Sequence, residues 1–198
     1  RSARLQLALS GIAHACGELL GCQSNPYRYV VVETPGAGFI AARERHPSRR
    51  ERVAARVGVN QALGRHVAIG GGYRFYADTW GMLGHTGDLD LSFAAFEERL
   101  LLHLDGRLSW QGPASFYDTR TALVDGALPG LRTGDRELGP VRSARVGGRV
   151  EWALLGLPNL LRLAVSMRLH YTRYRYPDFP WRPMRDAWVG GVGVEVER

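Results

Sequence analysis

The sequence predicts an all-β protein: one domain over residues 1–198, folded as an antiparallel up-and-down transmembrane β-barrel of about eight strands that stands alone or forms part of a larger barrel. Three observations predict it. Apolar and polar residues alternate with a period of two through most of the chain, the strand period and not the helical one. The alternating segments run to about a dozen residues, long for a soluble sheet and suited to a tilted membrane crossing. Short turns on one side are matched by mostly long connections on the other, as in outer-membrane barrels.

The alternation is clearest between Glu51 and Gln111, in four consecutive segments. Val53, Ala55, Val57, Val59 and Leu63 alternate with Arg52, Arg56 and Asn60. Val67, Ile69, Tyr73 and Phe75 alternate with His66, Arg74 and Asp78. Leu83, Leu89, Leu91 and Phe93 stand against Thr86, Asp88, Asp90 and Ser92. Leu100, Leu102, Leu104, Leu108 and Trp110 stand against His103, Asp105, Arg107 and Gln111. Successive strand side chains point to opposite faces, so each segment has one apolar and one charged face. Before this block, residues 3–10 read as a strand, 11–26 as a loop, 27–33 as a second strand and 34–50 as a long loop. After it comes a loop over 112–139, rich in Gly, Pro, Asp and Arg. Ala144, Val146, Val150 and Trp152 then oppose Arg145, Arg149 and Glu151, and Val165, Met167, Leu169 and Tyr171 oppose Ser166, Arg168 and His170. A loop over 177–185 leads to a last strand, with Trp188, Val192 and Val194 against Glu195. Tight turns are expected at Gly64, at 96–99 and at 156–159.

Composition narrows the class. At 45% hydrophobic and 23% charged, the chain is a folding sequence and not a disordered one. The net charge is +7, and all 26 basic residues are arginine. These arginines are dispersed along strands, whereas nucleic-acid binders cluster them, so nucleic acid is not expected as a partner. No apolar run reaches the roughly 18 residues of a transmembrane helix. The chain opens on Arg1, without Met and already in an alternating pattern, which reads as a processed or truncated start. Cys16 and Cys22 match no common zinc or haem spacing. They are a candidate local disulfide for an oxidising compartment, two free thiols being the alternative.

Alternation alone does not say which face is outside, because soluble barrels alternate too. Aromatics near the ends of the apolar faces (Tyr73, Phe75, Phe93, Trp110, Trp152, Tyr171, Trp188) suit an interfacial girdle. The polar faces carry both signs of charge and many small residues, among them Gly58, Gly70, Gly72, Gly84 and Gly147. That suits an interior ion-pair network of Arg56, Arg74, Asp88, Asp90, Asp105, Arg107, Arg149 and Arg168. Val57, Ile69, Leu91, Leu102, Val150 and Val165 are then expected to face lipid.

Glu44-Arg45-His46-Pro47 with Arg49 or Arg50, the run Tyr73 to Gly81, His85-Thr86, and Gln111 with Phe116-Tyr117 stand out as motifs. Together they resemble a bacterial family of uncharacterised outer-membrane barrels, the domain-of-unknown-function family 3570. The resemblance is specific over about residues 28–118 and general beyond. It implies the outer membrane of a Gram-negative bacterium and no established activity. It also implies a longer protein, of which this chain is the C-terminal part. Such barrels commonly end on an aromatic residue, whereas this chain ends Val196-Glu197-Arg198.

Candidate chemistry is sparse. The rim motif Tyr73, Arg74, Tyr76, Asp78, Trp80 and His85 is read as a hairpin anchor with Trp80 at the membrane rim, the alternative being a recognition loop. His85 shares the apolar face of its strand, where outer-membrane phospholipases place a catalytic histidine, but Ser92 has the opposite parity. Asp88, Asp90 and Asp105 are read as ion-paired interior residues sharing a face with Arg107 and His103, the alternative being catalytic carboxylates. The scattered His46, His66, His103 and His170 have no metal-ligand spacing. Gly70-Gly71-Gly72 lies inside a strand, so it is no phosphate loop and is expected to let the sheet curve or bulky interior groups approach. The expected function is a non-enzymatic outer-membrane scaffold, small-solute pore or partner platform without metal or cofactor, in contact with outer-membrane lipid and a periplasmic or surface protein. A membrane-embedded lipid hydrolase or acyltransferase and a soluble ligand-binding barrel are the alternatives.

Overall fold

A computed structural model describes residues 3–15, 29–34, 36, 38–97, 99–157 and 161–197, with side chains described within 29–154 and 163–195. In chain order the strands are β1 (Ala3–Ala15), β2 (Tyr29–Thr34), β3 (Gly38–Arg43), β4 (Arg49–Ala62), β5 (Val67–Asp78), β6 (Leu83–Ala95), β7 (Leu100–Gln111), β8 (Thr121–Ala122), β9 (Val141–Leu157), β10 (Leu161–Arg175) and β11 (Met184–Glu197). Eight of them form one sheet in the order β1-β4-β5-β6-β7-β9-β10-β11, each neighbouring pair antiparallel. The protein is all-β with up-and-down connectivity in this sheet. β1 and β11 are its edges, and no ladder joins them among the described residues, so the described strands do not close the predicted barrel.

The period-two pattern sets the register, because a slip of one residue would exchange the faces. Residues directly opposite across a ladder share a face. Ile69 pairs with Leu91 and Leu91 with Leu104, while Leu102 pairs with Val150 and Val150 with Met167. On the other face Gly72 pairs with Asp88, Asp88 with Arg107, and Arg107 with Arg145.

The apolar face is the uncovered one: Leu89 is 68% exposed, Leu104 59% and Val192 76%. The polar face is the inner one, and Asp88 on it is only 8% exposed. A cavity of about 650 Å³ on this face is lined by residues of seven strands, from Arg56 on β4 to Val189 on β11. In a flat sheet with strands about 4.8 Å apart, β4 and β11 would stand roughly 29 Å from each other, too far to wall one such cavity. The sheet is therefore curled, with the polar face concave and the apolar face convex.

A second sheet, β3-β2-β8, pairs β2 antiparallel with β3 and parallel with β8. Val30, Val32 and Ala42 form its core, with Leu123 against them. Another apolar cluster of Trp80, Met82, Ala114 and Leu138 ties segment 112–139 to the β5–β6 turn. Arg45 and Arg132 exchange both backbone hydrogen bonds at 2.9 Å, and the Ser115 N–H donates to the Trp80 carbonyl at 2.8 Å. These parts make a folded cap at the end of the large sheet that carries the long connections.

The structure corrects several expectations. Segment 27–33 contributes a strand to the cap and none to the large sheet. The expected loops 34–50 and 112–139 contain β3, the start of β4, and β8. The cap strands are too short to display a period, and their burial rests on few side chains. β1 continues to Ala15 through the small residues Gly11, Ala13 and Ala15, which give no apolar–polar contrast but still pair with Val53, Glu51 and Arg49. β11 begins at Met184, inside the expected loop 177–185, because the ladder to β10 extends to Arg175. Cys16 and Cys22, most of the expected loop 11–26, and residues 158 and 159 of the expected turn 156–159 lie outside the described residues.

Candidate functional site

The concave cavity is built from cross-strand rows. Arg56 on β4 stretches over Gly72 on β5 to reach Asp88 on β6, with Arg56 Nη2 3.4 Å from Asp88 Oδ2. A side chain at 72 would put its Cβ 3.2 Å from Arg56 Nη2, so glycine clears the path. Arg107 on β7 donates from Nε to the other oxygen of Asp88. One buried carboxylate thus gathers guanidinium groups from both sides. The same device recurs where His170 on β10 lies over Gly147 on β9, toward Asp105 on β7. A Cβ at 147 would be 2.2 Å from His170 Nδ1, which itself stands 3.4 Å from Asp105 Oδ1. Arg145 Nη2 completes this group 3.0 Å from Asp105 Oδ2.

All eight predicted interior residues lie on this face, but they are not all neutralised. Arg149 pairs with Glu151 at 2.5 Å, and neither Arg74 nor Arg168 has an ion pair among the described residues. Arg56 stands directly opposite Arg74, Arg107 opposite Arg145, and Arg149 opposite Arg168. Asp90 has no ion pair among the described residues and faces Asp105, contrary to the expectation that every interior acid is paired. Asp105 is held by Arg145 and His170, not by Arg107 or His103. The cavity lining includes five arginines and one carboxylate, Asp88, so its field is positive.

Most of the motif residues that carry the family resemblance meet at the joint between sheet and cap, while Tyr73, His85 and Thr86 stay on the large sheet. Asp78 Oδ2 accepts hydrogen bonds from Arg50 Nε at 2.9 Å, Arg50 Nη2 at 2.6 Å and the Tyr76 hydroxyl at 2.7 Å. Its Oδ1 accepts from the backbone N–H of Trp80 and of Met82, each at 3.0 Å, which fixes the β5–β6 turn. Arg50 lies over the Trp80 ring, 4.2 Å from its centre, and Trp80 meets Phe116 edge-on at 5.3 Å. Trp80 is 5% exposed, and its ring fills the joint instead of lying on the surface. Gln111 donates from Nε2 to the carbonyls of Glu137 at 2.9 Å and Gly139 at 3.2 Å, anchoring the end of the cap segment. Burial pushes the Tyr117 hydroxyl up to about 12, with Asp178 and Asp118 adding to it, so this phenol stays protonated.

Glu44 is a buried charge within the cap. The Thr133 hydroxyl and the Gly134 N–H donate to its Oε1 at 2.9 and 3.2 Å, and His46 Nε2 lies 3.6 Å from Oε2. Burial raises the Glu44 pKa, but His46, Thr133 and Gly134 together outweigh it and hold the carboxyl below its ordinary value of 4.5. A depressed carboxylate stabilises the fold above its unfolded pKa, and that contribution is lost as pH falls through the folded pKa. The cap is therefore expected to loosen progressively as pH drops below about 5, read as a falling urea midpoint of Trp80 fluorescence. Glu44→Gln should flatten that pH dependence, and an unchanged slope would remove Glu44 as its source.

His85 and Ser92, the groups of the hydrolase alternative, do not meet. His85 lies on the convex face, its Nδ1 2.5 Å from the Tyr73 hydroxyl and its ring 5.4 Å from Phe75 and from Trp110. No serine is among these contacts. A pair that parity did not single out is Ser92 Oγ with His103 Nδ1, 2.9 Å apart across β6 and β7 on the concave face. No carboxylate orients that imidazole among the described residues, so it is a hydrogen-bonded pair without a triad. Among the described residues no group of three or more His, Cys, Asp or Glu is placed to hold a metal ion.

Fold and site together define an all-β protein whose large sheet wraps its charge inward and turns its apolar side out. The chain belongs to the family described as protein of unknown function (DUF3570), which it matches over residues 7–174. No curated protein and no solved structure matches it.

Proposed function

We propose that the chain spans a bacterial outer membrane as a β-barrel wall and acts as a non-enzymatic scaffold around a positively charged lumen that accommodates small solutes. The carrying observation is the direction of curvature: the concave face is charged and the convex face is apolar. A soluble barrel needs the reverse.

Dimensions support the reading. One outward row is Phe75, His85, Trp110, Arg142 and Arg175, and another, toward the short turns, is Leu100, Trp152 and Val165. From Leu100 to Trp110 the strand covers about 33 Å, and a tilt of about 40° reduces this to a band roughly 25 Å tall, the height of an outer-membrane hydrophobic belt. Aromatic residues mark both borders, with Phe96 and Trp152 stacked at 6.2 Å on one and Tyr171 and Trp188 at 4.7 Å near the other. In lipid an unpaired strand edge is costly, so this reading requires β1 and β11 to be paired, with each other or with further strands. Partner binding at the cap is the natural companion role, since the cap is folded and lies at the end with long connections.

Nitroxide labels test the facing. Placed at Val57, Leu91 and Leu102 in vesicle-reconstituted protein, they should relax with lipid-soluble oxygen and be shielded from a water-soluble nickel chelate. Labels at Arg56 and Asp90 should show the opposite. Reversed accessibilities would make the chain a soluble barrel or sandwich.

A further inference from the structure

We infer that the convex face carries, at its capped end, a binding site for a phosphorylated lipid headgroup. The inference rests on the membrane reading above and names the ligand of one place on that face. A cleft of about 470 Å³ is lined there by Tyr73, His85, Trp110, Arg142, Arg173 and Arg175. Trp110 pairs with Arg142, and Arg142 with Arg175. The two arginines are thus directly opposite across the β9–β10 ladder, an arrangement that repels. Arg173, one row nearer the apolar band, is neutralised by Asp186, with Nε 2.9 Å from Oδ1 and Nη2 3.2 Å from Oδ2. Arg142 and Arg175 have no ion pair among the described residues. Among the described residues nothing offsets the repulsion, and a bound anion would.

The surroundings say what kind of group fits. A phosphate monoester accepts forked hydrogen bonds from guanidinium groups and bridges two of them. Immediately beside the arginines the wall is aromatic, with His85 packed against Phe75 and Trp110. Continuing toward the middle of the band it becomes Leu108, Leu89 and Val146, all more than 60% exposed. An amphiphile with an anionic phosphate head and acyl chains matches this order of charge, aromatic and aliphatic surface. A soluble anion would use only the first of the three.

The test is selectivity for a brominated lipid that quenches tryptophan. The full chain is reconstituted in phosphatidylcholine vesicles doped with brominated phosphatidic acid or brominated phosphatidylcholine. Wild-type protein should be quenched preferentially by the acid, and the Arg142→Gln/Arg175→Gln variant should lose about fivefold of that preference per arginine. Arg182→Gln, at an exposed position of the 176–183 connection, removes a charge at the same end and should keep the preference. Equal quenching of wild type by the two lipids overturns the inference while leaving the membrane reading intact. An equal loss in Arg182→Gln overturns it in favour of diffuse charge. Abolition of the preference by millimolar inorganic phosphate overturns the lipid assignment in favour of a soluble anion. No quenching by either lipid overturns the inference together with the membrane reading.

Discussion

Replacing Asp78 with Asn is expected to destabilise the cap by about 3–5 kcal/mol, the cost of leaving one partner of a buried ion pair uncompensated. The Asp78 side chain is fully buried and that of Arg50 nearly so. Asparagine keeps the shape but not the charge. Arg50 would remain packed between the Trp80 ring, the Tyr76 hydroxyl at 3.3 Å and Met82 Sδ at 3.2 Å without its counter-ion. The amide can keep one acceptor for the Trp80 and Met82 N–H groups, so the loss measures the pair more than the turn. Urea unfolding followed by Trp80 fluorescence, with protease nicking inside 112–139, should show the cap opening at lower denaturant while the large sheet persists. Removing both charges, as Asp78→Asn with Arg50→Leu, should recover part of the loss, since no buried charge is then stranded. A single variant that opens no earlier than wild type would mean that water reaches the pair.

The large sheet was legible because a strand encodes its facing in every second residue. Arg56, Arg74 and Asp88 could be assigned to one face, and Val57 and Leu91 to the other, without knowing any partner. Parity does not give register, so the opposition of Arg142 to Arg175, the Ser92–His103 bond and the isolation of Asp90 from counter-charge could not be read. Glycine was a partial guide. Gly72 and Gly147 on charged faces did mark places where a long side chain crosses to a third strand, but not which side chain. The cap was not legible. Glu44 and Thr133 meet from 89 positions apart, in segments whose composition reads as loop. Trp80 lies just past a strand end, where alternation no longer says which way a ring points. The available hint was an excess of large apolar residues in supposed loops: Trp80, Met82, Phe116, Tyr117 and Leu138.

Leu91→Arg is expected to cost about 2–4 kcal/mol of folding stability in a bilayer, because the residue lies near the middle of the convex band. Its neighbours across the ladders are Ile69 and Leu104, so an arginine there has no carboxylate to reach on its own face. Its distance from both borders also limits snorkelling to water. Asp90 is the next residue along the same strand and points the other way. It stands opposite Asp105, a like charge across the ladder. Asp90→Asn should therefore be neutral or slightly stabilising, since it relieves that repulsion and breaks no ion pair among the described residues. Two adjacent substitutions are thus predicted to differ by several kcal/mol for one reason, the medium each face meets. Urea-titrated folding into phosphatidylcholine vesicles measures both, and the same pair in detergent-free buffer is the control. If Leu91→Arg shifts the midpoint no further than Asp90→Asn, the convex face lies in water. Its exposed leucines and valines would then need a protein cover, and the outer-membrane assignment would fall.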